Sequence, residues 1–513
     1  MDEATVRALY AEQHRGREAG SQVVDDGTWE DLDLPRVFAS LDTTVSPLGQ
    51  LVLYDWLRSP ATTAEALVVT QARLALARRL EESPGATEAV SRALTTLPRL
   101  PRLLVETVWG TGRLPSLGAV PALLTGLAVL APLGFLSSLN LGLGLVAGAF
   151  VMNMAAHFWW NRRVFSASAS IDFLAAALAC ARTLVGALGA EAARLEALAG
   201  ELRALGRAAR ELPTPVAADD IGEYFQLYFL TRERRLTACA ALVSAHRPQL
   251  RALFDLLGEL DAAVAAGRFR RAQPGWCVPQ LESGTPLVLE EARHPLLGAE
   301  AVPSTLELDG GLVVTGSNMS GKSTFLRAVA LNQLFAQSLG FSCARAHRGP
   351  IMRVTTSLRA SDRLSEGKSY YLAEAERLGA MLAMSGPGVL VLIDEPFRGT
   401  NSAERIAASV AVLRHARRAG ALVVAATHDL EIVQLLDGAC QHAHFQDGLD
   451  ATGLHFDFKL RPGLATEHNA IRLLGFLGYP PALVDEAHAL ARSLDQRGGA
   501  LVTTRPACRV RGE

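Results

Sequence analysis

The chain has 513 residues, with 50 Lys and Arg against 52 Asp and Glu and a formal net charge of -2. That length exceeds one ordinary domain, and the near-neutral balance excludes a strongly basic chain held to nucleic acid by bulk charge. Six scattered cysteines form no CxxC pair and no Cys/His cluster at metal-ligand spacing, which excludes a zinc-stapled module and fits a reducing compartment.

The opening stretch "MDEATVRALYAEQHRGREAG" is charged and lacks the apolar core of a signal peptide. Residues 1–110 are predicted to be mostly helical, because "LVLYDWLRSP" and "ALVVTQARLALARRL" carry apolar residues at helical spacing. From Leu114 to Asn161 there is no Asp, Glu, Lys or Arg, with Arg113 before the run and Arg162-Arg163 after it. Two spans of about 20 residues fit, Ser116–Leu136 and Leu139–Trp159, each long enough for a hydrocarbon core about 30 Å thick, with "SSLN" as the tip. We therefore expect a two-helix transmembrane hairpin over 111–163. Basic residues flank its outer ends only, so the positive-inside rule places both ends at the cytoplasmic face of a bacterial-type inner membrane. A buried helical hairpin is the alternative, since Pro121, Pro132 and the many glycines also suit a packed core. His157 is read as a tolerated interfacial residue and not as a proton relay.

Residues 164–272 are rich in Ala, Leu, Arg and Glu and are predicted to form a helical lever, with one break at Pro213 and a second helical stretch from Tyr224 to Ala266. The runs "RERR" and "RFRR" are read as solvated helix faces. After "AQPGWCVPQLESGTP" the pattern changes to βα alternation over 273–490, with strands expected near Gly311–Thr315, Val389–Ile393 and Ala421–Ala426. A flexible tail is expected over 491–513.

The chemistry lies in that alternating region. "LVVTGSNMSGKSTFLR" satisfies G-x-x-x-x-G-K-[ST] between a strand and a helix, through Gly316, Gly321, Lys322 and Ser323. The glycines let backbone N–H groups wrap phosphates while the helix N-terminus faces them. Lys322 is expected at the β/γ-phosphates of ATP, and Ser323 at Mg²⁺. "VLVLIDEP" delivers Asp394 to the Mg²⁺ shell and Glu395 to the attacking water, and His428 ends a third strand where a γ-phosphate sensor belongs. "SDRLSEGKSYYLAEAERL" sets Ser365, Gly367, Lys368 and Ser369 ahead of a helix, either to bind a partner subunit's phosphate or as an ordinary helix cap.

These segments resemble the MutS family of mismatch-repair ATPases, within the ABC-type class. "EARHPLL", "TGSNMSGKST", "LIDEPFRGTN", "ATHD" and "FKLRPGLA" carry the likeness in order, and the Asn318-Met319 pair is its most specific mark. "LDTTVSPLGQLVLYDWLRSP" looks like the start of the family's helical core domain. The likeness implies a C-terminal α/β P-loop ATPase domain of ABC type, preceded by an all-α core and lever region. It implies phosphate contacts from Ser317, Asn318, Met319, Ser320 and Thr324 beside the motif residues. It also implies Ser369 reaching in trans to the ATP of a homodimer partner, a loop at Arg398, Gly399 and Thr400, and His294 and Pro295 near the base. Ser317 and Ser320 depart from the usual Pro and Gly, and Pro396-Phe397 from the usual Ile-Gly. The mismatch-reading and connector domains find no counterpart in the leader, and the apolar hairpin stands where a DNA clamp is expected. The expected function is a membrane-associated, dimeric MutS-like ATPase, with mismatched or branched DNA implied by the resemblance alone. The alternatives are a lipid- or partner-directed motor and a nucleotide-switched scaffold.

Overall fold

A computed structural model describes residues 1–14, 24–210, 227–317, 319–358, 370–397, 400–450, 453–464 and 470–498. Two compact units divide the chain, and neither is continuous. The first takes Met1–Ser21, Asp42–Asp55 and Leu76–Gly267, and the second takes Gln22–Leu41, Trp56–Ala75 and Arg268–Glu513. From sequence, one helical region over 1–110 and an α/β domain beginning at 273 are expected. Instead two N-terminal segments fold with the C-terminal part.

The N-terminal helices are α1 (Glu3–Gln13), α2 (Asp26–Asp31), α3 (Leu34–Leu41), α4 (Pro47–Arg58), α5 (Ala64–Glu82), α6 (Pro84–Leu94) and α7 (Arg102–Val108). Pro47 opens α4, where a missing N–H costs nothing. The start of that helix is fixed from far along the chain. Ser46 donates to the buried Asp261 carboxylate through its hydroxyl at 2.6 Å and its N–H at 2.8 Å.

The apolar run folds as a hairpin. Its first arm is α8 (Val120–Leu130) continued by a 3₁₀ segment, Ala131–Leu136, and after Ser137 and Ser138 the chain returns as α9 (Leu139–Val185). The tip is narrower than expected, because Ser138 caps α9 by accepting from Leu141 N at 3.2 Å, which draws Leu139 and Asn140 into the helix. The first arm also starts later than Ser116, since Gly118 sits at φ 60° and Pro121 takes the first turn. The second arm does not stop at Trp159, because neither Gly nor Pro interrupts the chain before Gly186. The expected boundary at 163 therefore lies inside a helix.

Two stretches are long and apolar enough to cross a membrane, Leu139–Trp160 and Ala167–Val185. They differ in surroundings: 17% of the first is buried against 50% of the second. The second belongs to the core of the helical unit, where Ile171, Phe173, Leu174 and Leu178 are buried. Helices α10 (Ala190–Glu201), α11 (Arg203–Arg210), α12 (Thr231–Ala245) and α13 (Arg247–Ala272) follow. The break expected at Pro213 lies outside the described residues, and the expected Tyr224–Ala266 helix is interrupted at His246. His157 pairs with the buried Glu233 of α12 at 2.7 Å.

The second unit holds the strands β1 (Gln280–Leu281), β2 (Leu287–Ala292), β3 (Ser304–Leu308), β4 (Gly311–Thr315), β5 (Ala346–Gly349), β6 (Arg353–Ser357), β7 (Val389–Asp394), β8 (Leu422–Thr427), β9 (Gln441–Asp450) and β10 (Gly453–Pro462). They form a four-stranded sheet of order β1-β5-β2-β3 and a six-stranded sheet of order β10-β9-β4-β8-β7-β6. All pairs of the larger sheet are parallel except β9 with β10. The three strands expected from sequence appear as β4, β7 and β8, within one residue at each end. Every residue of β4 is buried, as a continuous apolar run covered on both faces requires. Val313, Val391, Ile393, Val423 and Leu413 make one core on that sheet. Helices α14 (Lys322–Ser338), α15 (Tyr370–Ala383), α16 (Ser402–Arg418), α17 (Leu430–Leu435), α18 (Ala470–Phe476) and α19 (Pro481–Gly498) complete the unit. The start of the expected tail is thus helical to Gly498; the remainder lies outside the described residues.

The two N-terminal segments join this unit through specific bonds. Gln337 O of α14 accepts from Ala61 N at 2.8 Å and from the Thr70 hydroxyl at 2.9 Å. The Arg58 guanidinium lies 4.1 Å from the buried Trp29 ring and 2.9 Å from Asp26.

Candidate active site

Where β4 ends at Thr315 the chain turns sharply, and three consecutive demands on the backbone follow. Gly316, Met319 and Gly321 take φ of 149°, 71° and 108°. A Cβ on Gly316 would lie 2.7 Å from Ser320 Oγ and 3.0 Å from Phe445 O, so only glycine fits there. Gly321 is the N-cap of α14 and supplies no side chain to the first N–H groups, which leaves the positive end of a 17-residue helix at the loop. Met319 is 83% exposed and Thr324 is exposed, whereas Ser320 and Lys322 are buried.

The side chains then converge. Lys322 Nζ donates to Gly316 O at 2.7 Å and Ser317 O at 2.9 Å, and stands 3.8 Å from Glu395 Oε1. The Ser323 hydroxyl donates to Asp394 Oδ2 at the end of β7. Glu395 is buried at φ 50°, with its N–H bonded to Ala426 O of β8 at 2.9 Å. Its Oε1 lies 3.3 Å from His428 Nδ1, one residue beyond β8. The parallel register of β4, β8 and β7 is what brings these three strand ends together.

Of the residues expected from sequence, Gly316, Ser317, Ser320, Gly321, Lys322, Ser323, Asp394, Glu395 and His428 meet at this one edge. Asn318, Ser369, Arg398 and Gly399 lie outside the described residues, as do Ser365, Gly367 and Lys368. Thr400 bonds Glu404 at 3.2 Å, at the start of α16. His294 is buried, and burial, aided by the Arg327 guanidinium, pushes its pKa down to about 4.

Three residues of the surroundings were not read from sequence. Asp429 receives Arg405 of α16 at 2.8 Å and lies 3.8 Å from His428 Nε2. Glu374 of α15 accepts from Phe397 N at 2.8 Å. Asp31 of α2 accepts from the Thr356 hydroxyl, Leu358 N and Arg377. Only tertiary folding joins them, and no spacing rule points to any of the three.

The cradle fits a phosphate chain with a small hard cation. Ser317 Oγ and Ser320 Oγ are buried without hydrogen-bond partners among the described residues. A hydroxyl and a carboxylate, at Ser323 and Asp394, are the hard oxygen donors that Mg²⁺ takes alongside phosphate oxygens and water. Among the described residues no group of three or more His, Cys, Asp or Glu forms an all-protein metal cage.

Residues 312–495 match the family described as MutS domain V. The chain is 34% identical over 283 residues to the DNA mismatch repair protein MutS of Thermus aquaticus, covering 54% of this chain and 33% of that protein. It is 31% identical over 318 residues to DNA mismatch repair protein MutS 2 of Haloarcula marismortui, covering 56% of this chain and 32% of that protein. The MutS of Thermus thermophilus is 33% identical over 289 residues, with 54% and 35% covered. The chain thus spans about a third of the length of the curated relatives it matches. With the loop geometry and the paired strand-end carboxylates, these matches make residues 312–495 of the chain a region similar to MutS domain V.

Proposed function

We propose that this protein is a membrane-associated MutS-family ATPase that binds ATP with Mg²⁺ at residues 316–324 and hydrolyses it as a homodimer. The observation that carries the reading is the convergence of Lys322, Ser323, Asp394, Glu395 and His428 at one sheet edge. Lys322, pinned by two loop carbonyls, presents its ammonium to the β/γ-phosphates, and the loop N–H groups with Ser317, Asn318, Met319, Ser320 and Thr324 surround them. Ser323 and Asp394 would hold Mg²⁺, which would neutralise phosphate charge. Glu395 orients the attacking water and takes up its proton at the carboxylate, while His428, 3.3 Å away, faces the γ-phosphate side. Ser369 completes the partner's site in trans.

Membrane attachment is supported by an inverted distribution of side chains on the hairpin. The closest approach of the arms is made by small residues: Ala128, Ala131 and Ala149 pack as one cluster and Gly134 lies against Gly142, while Thr125 and Asn153 bond the backbone at Phe229 and Tyr228. The outward faces carry Leu123, Leu127, Leu133, Leu143, Phe158 and Trp159, all exposed. A water-soluble hairpin places its large apolar residues in the seam; close packing of small residues with Leu outward is the lipid-facing pattern. Seventeen residues, six of them 3₁₀, make the first arm about 29 Å long, and Leu139–Trp160 extends about 33 Å, both near a hydrocarbon thickness of about 30 Å.

DNA enters through the names of the relatives. The competing reading is a motor or switch that works on lipid or a membrane partner, and the exposed hairpin is the observation in its favour. The test is the ATPase rate of the detergent-purified chain and of Lys322→Ala, with branched, mismatched and perfect duplex DNA and with liposomes. We expect turnover that Lys322→Ala abolishes; equal turnover in both proteins would overturn the site. DNA stimulation that falls steeply with salt supports the DNA role, and stimulation by lipid alone supports the motor.

A further inference from the structure

Glu395 and Phe397 are two non-glycine residues held in the left-handed region, at φ 50° and 62°, on either side of Pro396. Such a turn is costly for each residue and persists only where neighbours fix it. One neighbour reaches it directly. Glu374, on α15, accepts the Phe397 N–H at 2.8 Å, and Phe397 itself is buried in the sheet core.

The helix that carries Glu374 is in turn held from the other end of the sequence. Arg377 lies one turn further along α15, and its guanidinium donates to both oxygens of Asp31, at 2.6 and 3.4 Å. Asp31 is 1% exposed and also accepts from the Thr356 hydroxyl at 2.9 Å and Leu358 N at 2.7 Å, at the end of β6. Its backbone carbonyl accepts from Arg327 Nε of α14 at 2.8 Å. One carboxylate thus ties α15 to the sheet, and the same residue's carbonyl ties both to the helix that begins at Lys322. A charge-assisted, fully satisfied buried group of this kind is rigid.

We propose that Glu374 is a positioning residue for Glu395, holding the 395–397 turn in its left-handed form, and that Asp31 anchors the helix from which Glu374 acts. The proposal rests on the ATPase reading for its kinetic consequence, though not for its structural one. Loss of the Glu374 acceptor lets the turn relax, which displaces the Glu395 carboxylate without touching the loop that holds phosphate. A displacement of about 1 Å is enough to cost about a hundredfold in rate.

The experiment uses the full chain in detergent, with Glu374→Ala, Glu374→Gln and Asp31→Asn. Glu374→Ala is expected to lower kcat by about tenfold or more while the Kd for ATP stays within about twofold; Glu374→Gln, which keeps an acceptor oxygen, restores kcat to within about threefold. Asp31→Asn gives a smaller fall in kcat, again at unchanged Kd, and serves if Glu374→Ala does not fold. In parallel, hydrogen exchange of the peptide containing Phe397 is followed without nucleotide. Exchange at that amide is expected to quicken by about tenfold in Glu374→Ala and not in Glu374→Gln. Unchanged exchange, unchanged kcat, or losses of kcat and ATP affinity in equal measure would each overturn the proposal. If the parent chain shows no turnover, the ATPase reading fails by itself, and the exchange measurement still decides whether Glu374 holds the turn.

Discussion

At residue scale, Lys322 shows how one side chain is prepared by its loop: two backbone carbonyls at 2.7 and 2.9 Å hold the ammonium at the mouth of a helix N-terminus. The loop backbone is equally constrained, and Gly321 at φ 108° has Phe458 within 3.2 Å of where a Cβ would lie. Gly321→Ala is therefore expected to weaken ATP binding by about tenfold or more, read by equilibrium titration; an unchanged Kd would contradict the cradle geometry. Two histidines of the same unit give a pH dependence. Burial pushes His294 and His347 down to about 4. Their folded pKa values lie below the ordinary value of 6.5, so the unfolded chain binds more protons between pH 6.5 and 4. Stability is full above about pH 6.5 and falls as pH drops towards 4, with up to about 1.4 kcal/mol per pH unit from each histidine. His347→Gln should flatten that fall by about one proton in urea titrations at pH 7 and 5, and an unaltered pH slope would refute the assignment. That Lys322, Ser323, Asp394 and Glu395 meet was legible in the sequence because a glycine-rich loop before a helix and a carboxylate pair ending an apolar strand are both local patterns. Glu374 and Asp429 were not, since an acidic residue on a helix or after a strand carries no local mark of the partner it finds.

At the scale of elements, β4, β7 and β8 were legible because a parallel strand covered on both faces must be a short apolar run. β6 was not, since "RVTTS" reads as polar while Thr355, Thr356 and Ser357 are all buried, with Thr356 bonded to Asp31. The hairpin was legible as composition and less so as geometry, because helix ends answer to single residues such as Gly118 and Ser138. Its two arms approach closely at Gly134 and Gly142, where a Cβ on Gly142 would lie 2.4 Å from the Phe135 ring. Leu127 and Leu143 face outward and are 52% and 55% exposed. Leu127→Arg with Leu143→Arg should move the protein from the membrane to the soluble fraction on flotation with liposomes, since each arginine costs about 2.5–3.5 kcal/mol near a bilayer centre. Recovery of the unaltered chain in the soluble fraction would refute membrane attachment.

At the scale of the whole molecule, the second unit is assembled from three separated stretches, and that is why the domain boundaries escaped the sequence. The Asp31–Thr356 bond spans 325 positions and the Thr70–Gln337 bond spans 267, and no local periodicity encodes either. The same interleaving places an N-terminal aspartate beside the helix that steadies the carboxylate turn. The likeness to MutS domain V and the site geometry together carry the central proposal, that the chain hydrolyses ATP through Glu395. The most direct measurement follows bound ATP and released phosphate in the full chain and in Glu395→Gln, with mass in detergent recorded alongside. The account predicts that Glu395→Gln retains ATP affinity, loses turnover by about a hundredfold or more and accumulates as a dimer with ATP bound. Turnover at the parent rate in Glu395→Gln, or loss of ATP binding together with turnover, would contradict it.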